Sequence, residues 1–234
     1  MISHNDGRAP QWRCYLGEFF PPILGGTPEQ WSAANLLAME RVFDWYGLTI
    51  RVDREANGRV TMDYATYYRR YRLTWIQAMC EGVGVEPPAG EDGVIALADR
   101  AIAYCARRVV APLPRVVEGI KALHARGYTL YTASGEAEAE LHGYLTALGV
   151  RDLFAGLYGG DVVNTVKEGP EYYERVLAHS GEAPETSLFV DDNPIVLDWI
   201  RKAGARSALV RAEPPSDGRA DHLAASLWDL TQAL

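Results

Sequence analysis

Cysteine is scarce: Cys14, Cys80 and Cys105 are the only three in 234 residues. An odd number at wide spacing makes no disulfide framework, and no Cys-x-x-Cys pair offers a zinc or redox site. The three read as reduced thiols of a cytoplasmic protein, with Cys80 and Cys105 as packing residues. Long hydrophobic runs are also missing. No apolar stretch approaches the roughly 18–20 residues that a membrane span requires. The opening Met-Ile-Ser-His-Asn-Asp-Gly-Arg-Ala-Pro carries no hydrophobic signal segment. Basic side chains are outnumbered, with 23 Lys and Arg against 31 Asp and Glu and a net charge of −8. An acidic surface repels a phosphate backbone, which argues against nucleic acid as a partner. There is no internal repeat and no low-complexity tract. Apolar residues at 48% and charged residues at 23% are globular values and exclude a disordered chain. The length accommodates one domain, or one core with an insertion, as a monomer or a homodimer.

The chain divides by texture into three parts. Residues 1–27 hold a polar lead, a short apolar run from Trp12 to Phe20, and the turn Pro21-Pro22-Ile23-Leu24-Gly25-Gly26. Residues 28–110 carry three helical patterns. The first begins at Thr27-Pro28-Glu29, where Thr27 suits an N-cap and Pro28 the first helical position, and is expected to stop at Gly47. Residues 49–61 read as irregular or extended. The second helix is expected over about Asp63–Glu81 and the third over about Glu91–Val109.

From residue 111 onward, helices alternate with strands. Helices are expected over about 113–126, 136–148, 170–179, 194–203 and 222–234. Strands are expected at 128–133, 156–158, 187–190 and 207–210. Strands alternating with helices of about 10–15 residues imply crossovers on a doubly wound parallel sheet, an α/β fold. Ligands of such sheets bind at the carboxyl ends of the strands.

Those ends carry Ser134-Gly135, Lys167 in Val166-Lys167-Glu168-Gly169-Pro170, and Asp191-Asp192. A hydroxyl and an ammonium can hold phosphoryl or carboxylate oxygens, and adjacent carboxylates suit a hard cation such as Mg²⁺. Each has a plainer reading alone: Ser134 as a helix cap, Lys167 as a solvated loop residue, Asp-Asp-Asn-Pro as a turn. Their order and spacing favour a common site.

This part of the chain resembles the haloacid dehalogenase superfamily. Leu130-Tyr131-Thr132-Ala133-Ser134-Gly135 is similar to its second motif, with Ser134 as the phosphate-binding hydroxyl. Lys167 ahead of Pro170-Glu171-Tyr172-Tyr173 is similar to the third. Leu188-Phe189-Val190-Asp191-Asp192-Asn193-Pro194 is similar to the fourth, the acidic pair that holds Mg²⁺ in family phosphatases. The resemblance implies a Rossmann-like core formed by 1–26 and 111–234, with a helical cap at 27–110. It also implies a small, anionic substrate bound between the two.

The family's first motif, Asp-x-Asp-x-Thr, is absent from these residues. The position of the cap puts the end of the first strand within Leu16-Gly17-Glu18-Phe19-Phe20-Pro21-Pro22. There Glu18 is the one carboxylate and becomes the candidate catalytic residue, beside Asp191 and Asp192. A register slipped by one or two residues puts Gly17 or Leu16 in that place. His4-Asn5-Asp6-Gly7 mimics part of the motif, with only three residues before it. The resemblance with this departure points to altered, non-phosphatase chemistry, to a residual phosphohydrolase or dehalogenase, or to a non-catalytic binding protein. In the cap, Tyr64, Tyr67, Tyr68, Tyr71 and Trp75 share one helical face. They read as a packing stripe or, for Tyr64, Tyr68 and Tyr71, as a substrate-gripping surface.

Overall fold

The computed structural model describes residues 5–213 and 218–234. Two compact units account for them, a helical unit of residues 5–110 and a sheet unit of residues 111–234. The fold class is the expected one, a Rossmann-like α/β core with a helical cap.

The helical unit holds α1 (Asn5–Phe19), α2 (Pro21–Leu24), α3 (Pro28–Asn57), α4 (Tyr64–Val83) and α5 (Gly90–Ala106). Residues 16–22, expected at the end of a strand, are helical instead. The reason lies in the apolar spacing. Trp12, Tyr15, Leu16, Phe19 and Phe20 recur at i, i+3, i+4, i+7 and i+8, which is a helix period and not a strand period. Leu16 and Phe20 are fully buried in the unit's core, with Trp12, Tyr15 and Phe19 packed on it. Of His4-Asn5-Asp6-Gly7, His4 lies outside the described residues, and Asn5–Gly7 open α1.

Thr27 starts α3 with a capping box. Its hydroxyl accepts the Gln30 N–H, and the Gln30 side chain accepts the Thr27 N–H. The helix does not stop at Gly47. One glycine costs about 1 kcal/mol against alanine, and the turns beyond it bury Ile50. The Asp53 carboxylate also accepts the Thr61 and Met62 N–H groups and the Thr61 hydroxyl, tying the next turn to the helix. Gly58 ends α3 in the left-handed conformation at φ 71°, where a side chain would be strained. Asp63 then caps α4 by accepting the Thr66 N–H at 2.9 Å.

The sheet unit runs α6 (Val116–Ala125), β1 (Leu130–Ala133), α7 (Glu138–Ala147), β2 (Phe154–Tyr158), α8 (Gly160–Val163), α9 (Pro170–Ser180), β3 (Leu188–Asp191), α10 (Val196–Lys202), β4 (Arg206–Val210), β5 (His222–Ala224) and α11 (Leu227–Ala233). All pairings are parallel, in two sheets of order β1-β2 and β3-β4-β5. One face of the strands packs on α6, α7 and α11 through Ile120, Leu141, Leu145, Leu227 and Leu230. The other packs on α9 and α10 through Tyr172, Tyr173, Val176 and Ile200. Residues 222–234 are not one helix. His222–Ala224 extend along β4 in register with Ala208–Val210, and Ser226 then caps α11 by accepting the Asp229 N–H. An open strand edge competes with local helix propensity here and prevails over three residues.

Candidate functional site

The carboxyl ends of β1 and β3 meet at one charged side chain. Lys167, in the loop between α8 and α9, donates from Nζ to the Ala133 carbonyl at the end of β1, at 3.0 Å. It also donates to Asp191 Oδ2 at the end of β3, at 2.7 Å. Both side chains are largely shielded, with 19% of Lys167 and 12% of Asp191 exposed. An ammonium has three donors, so two are spent on the protein. The Gly135 backbone lies beside the Lys167 stem, where an added Cβ would sit 3.8 Å from the Lys167 Cβ.

Asp191 is an anion held in place. Burial would raise its pKa, but the Lys167 ammonium, its hydrogen bond and the Asn193 N–H outweigh burial and hold the carboxyl below the ordinary value. Its Oδ1 accepts that Asn193 N–H at 2.9 Å, and Asn193 Oδ1 accepts the Ile195 N–H at 3.0 Å. The turn reading of Asp-Asp-Asn-Pro is therefore true as well: the turn is what aims Asp191. Asp192, the next residue, is exposed.

Ser134 combines two roles in the same way. Its Oγ accepts the Glu136 N–H at 3.2 Å, a local turn contact, which leaves the hydroxyl proton to be donated. Its backbone is fixed from both sides. The Ser134 N–H donates to the Tyr158 carbonyl at 3.1 Å, extending the β1–β2 pairing by one residue. The Tyr172 hydroxyl lies 2.9 Å from the carbonyls of both Ser134 and Tyr158. Tyr172 is fully buried on α9, and burial pushes its hydroxyl far above the ordinary phenol value, so it remains a donor. Sequence reasoning missed Tyr172. The signal was its place in Pro170-Glu171-Tyr172-Tyr173, two residues into a helix that starts just after Lys167. On the next position, the Tyr173 hydroxyl is buried without a partner, and its ring stands 5.8 Å from the Lys167 ammonium.

Ser134, Gly135, Lys167, Asp191 and Asp192 thus fall at one end of the strands. Glu18 and the tyrosines lie in the helical unit. Glu18 sits exposed on α1 and accepts the Tyr104 hydroxyl at 3.2 Å. Tyr64, Tyr68, Tyr71 and Trp75 form a ladder along α4, with ring centroids 5.2, 5.9 and 6.1 Å apart. Tyr64 is buried, and Tyr68 and Tyr71 pack half-buried against the unit's core. Arg72 lies over the Tyr68 ring and forms a two-pronged pair with Asp99 at 2.5 and 2.7 Å.

The acidic pair does not by itself fit Mg²⁺. That ion takes six oxygens in near-ideal octahedral geometry. Both Asp191 oxygens are engaged by Lys167 and Asn193. Among the described residues, no group of three or more His, Cys, Asp or Glu side chains comes together as a cation site.

A family model described as haloacid dehalogenase-like hydrolase matches residues 38–204. Phosphoglycolate phosphatase of Salmonella typhimurium (strain LT2) is 31% identical over 173 residues, covering 72% of this chain and 65% of that protein. The chain thus spans a little under two thirds of the length of the curated relatives it matches. Among solved structures, a defluorinating L-2-haloacid dehalogenase aligns over 100% of this chain and 90% of its own, with a TM-score of 0.64 at 16% identity. L-2-haloacid dehalogenase from Xanthobacter autotrophicus covers 99% of this chain and 93% of its own, with a TM-score of 0.61 at 15% identity. At such identities the structural likeness concerns the fold.

Proposed function

Because this chain belongs to the haloacid dehalogenase-like hydrolase family, we propose that it hydrolyses a phosphate ester of a small anionic metabolite. In this reading the phosphoryl group is received by Ser134 and Lys167. The observation that carries it is the Lys167 ammonium, fixed at the ends of two parallel strands with two of its three donors already used. The third is left for an incoming oxygen, and the Ser134 hydroxyl supplies a second donor. Asp191 positions the ammonium through the 2.7 Å contact. Pre-set donors in a shielded site stabilise a developing anion without reorganising, which is the main source of such catalysis. The phosphoglycolate phosphatases among its relatives support the choice of a small anionic ester.

A second reading has one observation in its favour. Asp-x-Asp-x-Thr is absent from these 234 residues. A covalent nucleophile and a positioned general acid each contribute orders of magnitude, about 10²–10⁴-fold for acid–base catalysis alone. Without them the site binds an anion and does not turn it over. Glu18, the one carboxylate within Leu16–Pro22, is the residue whose substitution separates the two readings.

The test is phosphate release from a panel of phosphomonoesters, 2-phosphoglycolate included, with Mg²⁺ present and Asp192→Asn as the control. Release above the control supports hydrolysis. Loss of that release in Glu18→Gln would assign Glu18 to the chemistry, and release unchanged in Glu18→Gln removes it. Phosphate binding with no release across the panel leaves the binding reading.

A further inference from the structure

We infer that Asn57-Gly58, where α3 gives way to the turn into α4, is a latent deamidation site that Asp53 holds shut. Asn-Gly occurs once in the sequence. It is the pair in which an asparagine most readily modifies itself, because glycine puts no side chain beside the attacking nitrogen. The reaction needs only water. The Gly58 nitrogen gives up its proton to solvent and bonds to Asn57 Cγ. The Cγ–Nδ2 bond breaks, and Nδ2 takes up a proton and leaves as ammonia, closing a five-membered imide. Water then opens the ring at either carbonyl, leaving aspartate or isoaspartate at position 57. Both residues are exposed to that water, and nothing lies within 4 Å of where a Gly58 Cβ would be.

Two features oppose the reaction while the helix end is closed. The Gly58 N–H donates to the Arg54 carbonyl at 2.9 Å, which retains the proton that has to leave. The Asn57 carboxamide points a turn back along α3, as helical side chains do. There Nδ2 donates to the Asp53 carbonyl at 3.1 Å and to Asp53 Oδ1 at 2.8 Å. Cγ is thus held away from the nitrogen that attacks it. Asp53 is itself fixed. Its Oδ2 accepts the Thr61 and Met62 N–H groups at 2.5 and 3.1 Å, and its Oδ1 accepts the Thr61 hydroxyl at 2.7 Å. The Thr61 N–H, with the hydroxyl, holds the Asp53 carboxyl below the ordinary carboxylate value.

The same network gives the modification a consequence. Asn57 supplies Asp53 with a donor from one turn away. A carboxylate in its place has no proton to give and faces Asp53 as a like charge at i, i+4. It also stands at the negative end of the α3 dipole. Asp53 is pushed off, and its bonds to Thr61 and Met62 loosen with it. Those bonds tie the turn after α3 to the helix, so deamidation releases the link between α3 and α4 in one direction only. The trigger is fraying of the last turn of α3, the local opening to which helix ends are prone.

The test incubates the full chain in mildly alkaline buffer and follows residue 57 by peptide mass spectrometry. Deamidation of the folded protein is expected to be slower by about tenfold or more than that of the same chain unfolded in urea. Asp53→Ala, in the folded state, is expected to recover most of that difference. Asn57→Asp installs one product directly, and is expected to speed amide exchange at Thr61 and Met62 by about tenfold while Trp75–Met79 in α4 stay as protected as before. The inference is overturned if folded and unfolded chains deamidate at equal rates, or if folded Asp53→Ala matches the parent protein. It is equally overturned if Asn57→Asp leaves Thr61 and Met62 unchanged. Should Asp53→Ala not fold, the other two comparisons decide. No readout involves catalysis, so the outcome is separate from that of the proposed hydrolysis.

Discussion

In the helical unit, Trp31 and Trp75 are fully buried, and each indole N–H ends on an oxygen close at hand, Gly25 O at 2.8 Å and Asn35 Oδ1 at 2.9 Å. Phe20 stacks on Trp31 with centroids 4.5 Å apart. In the sheet unit, the strand ends are organised around a shielded ion pair, Lys167–Asp191, and a buried phenol that holds two carbonyls. The first arrangement is made by volume and shape. The second carries charges that water would solvate better, and burying ions rarely stabilises a fold beyond what apolar packing would give. The helical unit is thus built for packing, and the strand ends are built for something other than packing. That contrast is the physical ground on which we propose Lys167 as the functional residue.

Mutations sharpen the contrast. The largest effect is expected from Trp75→Ala, about 3–5 kcal/mol lost from the helical unit in urea titrations, because it removes a buried indole and orphans Asn35. A loss below about 1 kcal/mol would mean that the aromatic ladder is not the unit's core.

Lys167→Met is expected to cost about 3 kcal/mol at neutral pH, by leaving Asp191 buried and uncompensated. The sign of its pH dependence follows from the native pKa of Asp191. With Lys167 present that pKa is depressed, so the carboxylate contributes stability above its unfolded value of about 3.9. That contribution is lost as pH falls through the native value. Without the ammonium, burial dominates and the pKa is raised. The penalty of Lys167→Met should therefore shrink on acidification, as Asp191 takes up a proton. Urea midpoints between pH 4 and 8 check this, and a penalty constant with pH would deny the coupling.

Smaller effects separate two adjacent tyrosines. Tyr172→Phe removes a buried donor to Ser134 and Tyr158, and should cost about 1–3 kcal/mol and loosen exchange at the Ser134 amide. Tyr173→Phe removes a buried hydroxyl that has no partner, so it should be neutral or stabilising by a few tenths of a kcal/mol. Equal losses from the two would erase the distinction drawn between them.

The sequence conveyed the sheet unit better than the helical one, for a physical reason. Strands at 130–133, 188–191 and 206–210 announce themselves by short β-rich runs, and the polar residues at the ends of the first two, Ser134 and Asp191-Asp192, are the candidate site. Asp191 and Lys167 could be named because parallel strands bring their carboxyl ends together whatever the side chains. Tyr172 could not, because its role depends on a helix turning the phenol under two carbonyls 14 and 38 residues away. In the helical unit, Gly47 looked like a stop, but a glycine ends a helix only when the next turn has nothing to pack on. Residues 16–22 were read from the position of a family motif, while their own spacing from Trp12 to Phe20 was helical throughout. His222–Ala224 became a strand because an edge of β4 was open to them, which no local pattern reveals.

The central claim is that Lys167, backed by Asp191, is an anion receptor at the strand ends. Isothermal titration of inorganic phosphate into the folded protein and into Lys167→Met tests it directly, with Ser134→Ala as a second variant that leaves the ion pair intact. The account predicts binding weakened about tenfold or more in both variants while far-ultraviolet circular dichroism stays native. Phosphate affinity equal in all three proteins would contradict it.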